Sequence, residues 1–435
     1  MRRRVNPSHR ALAVLVVGLV AAAPAYGAGF SIFEQGTKAM GMAGAFTAQA
    51  DDGSAMFHNA GGLAFQKEFS VMGGATYIRG LQADFEGADP FPGEGYTAEQ
   101  ETLSEFPIHG YWVQPVNDNV TFGLGVNVPF GLTTEWDDDF RGRFISRLGS
   151  LTAIDVNPTI AWQSGNFGFG IGAIGRFSTV ELERHIAAIN PFTLTAADVA
   201  TLELDGGFDN SGYGWNVGLL HKYNNSFSWG LSYRSKIEVE YEGDARVRQN
   251  LTGTPFDALV AASLPFGSDF PVETEIEFPD TASIGVAVAL GPASLVEFDY
   301  NWTGWSSFDQ LPIVFPGGEL PSSVLTEEYE DTNHYRLGFR WDSRPDRQWR
   351  FGVVLDESPQ PEEAVNPLLP DADRVGITLG YGHDGPKWKW DVAVMYLDFD
   401  EVTRDENFPG EDDTTFFGTY QNRALLVGLT LGYGG

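Results

Sequence analysis

From Glu68 onward, apolar residues alternate with Gly, Ser, Asn or charged residues, the period of two that marks a strand with unlike faces. In Thr121–Phe130, the residues Phe122, Leu124, Val126, Val128 and Phe130 share one side, while Thr121, Gly123, Gly125 and Asn127 share the other. Lys387–Asp398 repeats the arrangement, with Trp388, Trp390, Val392, Val394 and Tyr396 opposed to Lys389, Asp391 and Ala393. The pattern predicts fourteen strands: 68–79, 105–115, 119–130, 152–163, 166–183, 212–223, 226–241, 280–290, 293–302, 333–342, 348–357, 373–383, 387–398 and 420–433.

The connections alternate in length. Short turns fall at 116–118, 164–165, 224–225, 291–292, 343–347 and 384–386, and between them lie long acidic loops with Pro, such as 80–104, 242–279 and 303–332. An even number of strands with turns at one end and long loops at the other predicts an all-β fold, a 14-stranded antiparallel transmembrane β-barrel of the bacterial outer membrane. The bulky face carries aromatics near strand ends (Trp112, Trp162, Trp215, Trp229, Trp302 and Trp390), as lipid-facing girdles do. The opposite face holds Gly, Ser, Asn and isolated charges such as Arg234, Glu297, Asp299, Arg336 and Arg340, which suits a lumen.

Ahead of the strands, Arg2, Arg3, Arg4 and Arg10 precede an apolar run from Ala11 to Ala23 and the small residues around Ala25-Tyr26-Gly27, the layout of a secretory signal peptide with cleavage after Gly27. The alternative, a membrane anchor, is disfavoured because ~13 apolar residues fall short of the ~20 a spanning helix needs. Three parts are therefore expected: 1–27 signal peptide, 28–66 an N-terminal segment inside the lumen, and 67–435 barrel with external loops. Composition narrows the class further. Against 59 Asp and Glu stand 27 Lys and Arg, a net charge of −32 that argues against nucleic acid as a partner. The chain has no Cys, which removes disulfides, thiolate metal sites and Cys nucleophiles. With 52 Gly the chain is Gly-rich as well as acidic.

The segment Ala28–Gln66 reads AGFSIFEQGTKAMGMAGAFTAQADDGSAMFHNAGGLAFQ and is too rich in Gly and Ala for a stable helix. It resembles the N-terminal hatch of the FadL family, outer-membrane transporters of long-chain fatty acids and hydrophobic compounds. The resemblance continues through FGLGVNVPFGLTTEW (122–136), YGWNVGLLHKY (213–223), GLSYRSKIEVEYEGDA (230–245), TGWSSFDQL (303–311), DESP (356–359) and LPDADR (369–374). It departs at Asn59-Ala60-Gly61, where family hatches carry Asn-Pro-Ala, and at the C-terminus, where Tyr433 is followed by Gly434-Gly435 and would be the aromatic read by the barrel-assembly machinery.

The resemblance implies passive movement of a long-chain fatty acid or other hydrophobic molecule past the lipopolysaccharide leaflet, by a monomer with no cofactor and no energy source. Ligand is then expected at Phe30, Ile32, Phe33, Phe46, Phe57 and Asn59 of the hatch, and at the lumen cations Arg176, Arg234, Lys236, Arg336 and Arg340, one of which would pair a carboxylate. More often such cations pair with lumen acids, here Glu238, Glu240, Glu297 and Asp299.

Two loop segments show helical signals. Thr195-Ala196-Ala197-Asp198 has capping-box spacing ahead of Val199 and Leu202, and Pro255 opens a run with Leu259, Val260 and Leu264 on one face. In the family reading Phe192, Leu194, Phe256, Leu259, Leu264 and Phe266 form an external capture groove; packing of the two helices on each other is the alternative. Pro129, with Gly125 nearby, can interrupt a ladder because Pro donates no backbone hydrogen bond, and the resemblance implies a kink that opens the wall sideways.

Other motifs carry less. Gly170-Ile171-Gly172-Ala173-Ile174-Gly175 matches a dinucleotide fingerprint but lies in an alternating strand and opens no helix. Asp137–Asp139 and Glu411–Asp413 read as solvated loop charge, and the seven His residues show no metal-ligand spacing. Three rival functions are an open porin for polar solutes, an outer-membrane hydrolase and a structural or adhesive barrel. His109, His221, His334 and His383 are available to the hydrolase, but no nucleophile motif accompanies them.

Overall fold

A computed structural model describes residues 28–102, 104–407 and 415–434; the expected signal peptide lies outside the described residues. Sixteen strand segments form the wall: β1 Ser70–Gly87, β2 Ile108–Pro115, β3 Val120–Glu135, β4 Leu148–Ser164, β5 Phe167–Asn190, β6 Thr195–Asn224, β7 Phe227–Arg234, β8 Ile237–Gln249, β9 Phe270–Phe278, β10 Thr281–Gly291, β11 Ser294–Thr303, β12 Thr332–Arg344, β13 Arg347–Asp356, β14 Arg374–Asp384, β15 Trp388–Phe399 and β16 Gly418–Gly434. β7 and β8 are two halves of one broken strand, as are β9 and β10, so the wall has the expected fourteen strands. Every neighbouring pair is antiparallel, and the ring closes where β1 pairs with β16 from Ser70↔Gly434 to Gly87↔Gly418. Apart from a local gap beside β3, closure leaves no sheet edge, which is what lets strands cross a bilayer. No described helix is long and apolar enough to cross a membrane.

Within the spanning part, large apolar side chains point outward: Trp162, Ile171, Trp215, Ile284, Ile377 and Leu429 are all exposed to the surroundings of the barrel. Towards the turn end, Phe167 stacks on His221 and Trp388 packs edge-on to Tyr433, the aromatic end-belt that the sequence suggests.

Above the membrane the pattern inverts. In β7, Phe227 and Leu231 face out, but beyond the break at Ser235–Lys236 it is Ile237, Val239 and Tyr241 of β8 that are buried, and Glu238, Glu240 and Glu242 that are exposed. The same swap occurs at Pro279–Asp280, where Ile276 and Phe278 of β9 are inside while Ile284 and Val286 of β10 are outside. Water rather than lipid surrounds this portion, so the apolar face turns inward as in any soluble sheet. This corrects two expectations. Lys236 is on the outer surface, paired with Glu277 at 2.9 Å, and Glu238 and Glu240 are outside the lumen.

The lumen is filled from within. Residues 28–66 include two one-turn helices, Thr37–Met40 and Ala55–His58, and a 3-10 turn, Ala60–Phe65. The segment bonds to strands all round the ring: Tyr111 Oη of β2 donates to Gln35 O, Asn216 Nδ2 of β6 to Met56 O, Thr378 Oγ1 of β14 to Gly41 O, and Thr37 N donates to Thr430 Oγ1 of β16. Its backbone presses directly on the wall. A Cβ on Gly170 would lie 2.2 Å from Ala60 O and one on Gly168 2.3 Å from Gly61 O, so the first glycine of the fingerprint-like run serves close backbone approach inside a strand.

Candidate ligand passage

The wall has one gap that the N-terminal segment fills. β2 pairs with β3 only from His109↔Asn127 to Pro115↔Thr121, so Val128–Glu135 of β3 has no strand partner on that side. On the other side, the β3–β4 register shifts between Asn127 and Phe130, a bulge that contains Pro129. Where β2 is missing, the chain from Phe30 to Gln35 takes its place. Ile32 N donates to Pro129 O at 2.8 Å, Gly131 N donates to Phe30 O at 3.0 Å, and Ser31 bridges Phe130. The Gln35 side chain completes the substitution, its Nε2 donating to Val128 O at 2.6 Å and its Oε1 accepting from Val128 N at 3.2 Å. Gly125 lies below the gap, paired on both sides with Tyr111 and Asn157.

A cavity of about 780 Å³ follows this gap. Its inner part is lined by Phe30, Ile32, Leu397 and Leu426, and its outer part by Leu81, Phe106 and Ile108, of which Phe106 is 62% and Ile108 52% exposed on the barrel's outside. The cavity thus connects lumen and bilayer face. Phe30 forms its floor, held in an aromatic cage: ring centroids lie 4.6 Å from Trp305, 5.4 Å from Phe308 and 5.9 Å from Phe130, all edge-on.

The expected ligand residues divide. Phe30 and Ile32 line the cavity. Phe33, Phe46 and Phe57 instead surround the buried His58, at 5.2, 5.6 and 5.0 Å. Asn59 is a structural clamp: its Nδ2 donates to Thr47 O and Leu219 O, and its Oδ1 accepts from Gly61 N, which holds the turn that lacks the family's Pro.

Among the lumen cations, Arg176 makes a bidentate pair with Asp155 at 2.8 and 2.9 Å and lies 4.6 Å over both Phe130 and Phe278. Arg234 approaches the same carboxylate at 3.5 Å and sits over Phe57 at 4.8 Å. Arg336 bonds Asn301, Ala43 O and Asp356, and Arg340 bonds Gln49 and Asp51.

Three residues of the passage lay outside the sequence reading. Gln35 looked like one polar residue among many, because nothing local shows that its amide replaces a strand. Arg374 lines the cavity and pairs with Asp356 at 3.2 Å. Asp371 accepts from Gly29 N at 2.8 Å and from Ser358 Oγ at 2.9 Å, and burial pushes its carboxyl up to about 6. These last two belong to LPDADR and their partners Asp356 and Ser358 to DESP, so the motifs that carried the resemblance meet at the start of the N-terminal segment.

In the loops one expectation fails. Thr195–Val199 is strand, since the β5–β6 hairpin runs on to a tip at 191–194, and the cross-strand ladder there outweighs the capping signal. The second helix is present at Phe256–Ala261. Phe256 and Val260 are buried with Val199 and Leu202, and Leu264 and Phe266 pack against them, so hairpin and helix do pack on each other. Phe192, Leu194 and Leu259 remain exposed, at 65%, 80% and 47%.

A closed fourteen-stranded ring with an apolar outer belt, a filled lumen and a side gap defines an outer-membrane transport barrel. Residues 18–434 match the family model for outer membrane protein transport proteins (OMPP1/FadL/TodX), and the chain belongs to that family, whose members are transporters rather than enzymes. It is 24% identical to the long-chain fatty acid transport protein of Escherichia coli O6:H1, with 97% of each chain covered. The fold matches that of a Pseudomonas aeruginosa FadL homologue with a TM-score of 0.79 at 21% identity, covering 93% of this chain and 99% of that one. It also matches the Pseudomonas putida toluene transporter TodX, with a TM-score of 0.68 at 14% identity, covering 95% and 99%.

Proposed function

We propose that this protein passes long-chain fatty acids or other hydrophobic molecules through the outer membrane without an energy source. Cargo collects on the exposed apolar loop residues Phe192, Leu194 and Leu259 and in the surface formed with Phe256, Leu264 and Phe266. It enters the cavity by displacing Phe30 from its aromatic cage, and it leaves sideways into the bilayer through the gap beside Pro129, above Gly125. Residues 28–66 act as the hatch, and a lumen cation among Arg176, Arg234, Arg336 and Arg340 pairs a carboxylate where the cargo has one. The protein works as a monomer among lipopolysaccharide and outer-membrane lipids, inserted by the barrel-assembly machinery.

One observation carries this reading: the wall between β2 and the upper part of β3 is completed by Phe30–Gln35, beside a cavity that touches both lumen and bilayer. Any ligand that displaces Phe30 therefore also unzips the wall. A Ser31→Cys/Phe130→Cys variant tests it, because these residues face each other across the gap and the chain has no other Cys. The oxidised variant should lose uptake of radiolabelled oleate and recover it on reduction. Unchanged uptake in the oxidised form would refute the side exit.

A further inference from the structure

Four consecutive backbone N–H groups of the N-terminal segment converge on two carboxylates of the wall. Phe46 N and Thr47 N donate to Asp299 Oδ2 at 2.9 and 2.8 Å, and Ala48 N and Gln49 N donate to Glu297 Oε1 at 2.5 and 3.2 Å. Both acids are fully buried, two residues apart on the inner face of β11. No cation forms an ion pair with either among the described residues. Arg336 is the direct ladder neighbour of Asp299, yet its guanidinium turns to Asn301, Ala43 O and Asp356. Two buried carboxyl groups this close are costly unless polar groups solvate them, and here the backbone dipoles of one turn do so, as in an anion-binding nest. The same turn is held through its carbonyls: Asn59 Nδ2 donates to Thr47 O at 2.7 Å and Ser228 Oγ to Ala48 O at 2.8 Å.

The first eight residues are attached differently. Their links to the gap, at Phe30, Ile32 and Gln35, are to neutral backbone groups, and the one carboxylate they meet, Asp371, belongs to a loop. Lifting 28–35 breaks neutral backbone bonds in the wall, one bond to a loop carboxylate and the contact of Phe33 with Arg336. Lifting 46–49 leaves two buried carboxyl groups in the wall without their four donors.

We infer that Glu297 and Asp299 are positioning residues that divide the N-terminal segment into two functional parts. Residues 28–35 form an arm that moves with cargo. The turn at 46–49 is an anchor that stays on the wall and keeps the lumen closed to ions while the arm moves. This rests on the reading of residues 28–66 as a plug.

The test is ion conductance of the full-length protein in planar bilayers. Glu297→Gln/Asp299→Asn leaves one acceptor oxygen per side chain and removes the negative charge that can strengthen its bonds to the N–H groups of the turn. Gly285→Ala leaves the charges intact but puts a Cβ 2.3 Å from Asp299 Oδ1 and 2.8 Å from Thr47 Cβ, so it pushes the anchor from the other side. Each variant should raise conductance by about tenfold or more, since loss of charge-assisted bonds shifts a closed–open population by that order. Asp391→Asn removes a lumen carboxylate that binds Arg350, and should conduct like the unmodified protein. Heat-modifiable gel migration confirms folding of each variant. A folded double variant or a folded Gly285→Ala variant with unchanged conductance would overturn the inference, as would equal leakage in Asp391→Asn. Failure of the Ser31–Phe130 lock to affect uptake would remove the side exit and leave these conductance outcomes standing.

Discussion

Gln35 and Val128 are joined as two strands would be: one side-chain amide gives Val128 O a donor and Val128 N an acceptor, at 2.6 and 3.2 Å. Both backbone groups lie where β2 no longer reaches, so without Gln35 they face the passage unpaired. Gln35→Ala should cost about 1–3 kcal/mol at this site, the penalty for orphaning buried polar groups. Hydrogen exchange measured by mass spectrometry should be faster at Val128–Gly131 and unchanged in β13–β15.

Phe30 is 4% exposed inside its cage, touching Trp305, Phe308 and Phe130. Phe30→Ala empties that cage and should destabilise the barrel by about 3–5 kcal/mol. It should also admit small apolar molecules without arm movement. Quenching of the fluorescence of Trp305 by an apolar quencher, read as the difference from a Trp305→Phe background, should become stronger in the variant.

The Arg176–Asp155 pair is buried on both sides, and Arg234 stands 3.5 Å from the same carboxylate. Asp155→Asn leaves two guanidinium groups in one apolar setting, which should cost about 3–5 kcal/mol. The temperature at which the barrel loses its compact gel migration should fall accordingly, and a Lys at position 176 should rescue none of the bidentate geometry.

Above the membrane, Glu327 is buried in the external loops, and that burial pushes its carboxyl up to about 8, against the milder pull of Asn366, Gln360 and Arg404. The group is thus protonated in the folded cap at neutral pH. Its contribution to cap stability is fully present below the unfolded value near 4.5 and is lost as pH rises through the folded value near 8. Limited proteolysis between residues 304 and 331 should therefore be faster at pH 9 than at pH 6. Glu327→Gln, which cannot ionise, should remove that difference.

The strands were legible because each crosses an environment with two unlike sides, and period two survives errors in any one boundary. All fourteen were located from Phe122-Leu124-Val126 patterns and from turn lengths, but their parts above the membrane were read as loop: Phe270–Phe278 and the end of β8 lie in the stretch 242–279, and β5 and β6 run on past 183 and before 212. What alternation does not encode is which medium lies outside. Val239 and Tyr241 alternate with Glu238 and Glu240 just as Leu231 and Tyr233 alternate with Ser232 and Arg234, yet the first set faces in and the second out, because the wall leaves lipid between them. Lys236 was misplaced for that reason. The passage was legible only in part: Pro129 announces a broken ladder, and Phe30 stands at the head of a recognisable segment, but the bonds that fill the gap join residues 93 positions apart. Glu297 and Asp299 were visible as lumen acids and were read as partners for cations, since backbone N–H groups of a distant turn leave no mark in side-chain sequence.

The proposed function is passage of hydrophobic molecules through a barrel that stays closed to polar ones. It is tested most directly in one preparation, purified full-length protein in lipid bilayers, by measuring transfer of radiolabelled oleate across vesicles alongside single-channel conductance in planar membranes. Oleate transfer above that of protein-free vesicles is expected, with no stepwise conductance of porin size. Large ion steps without oleate transfer would contradict it and identify an open pore for polar solutes instead.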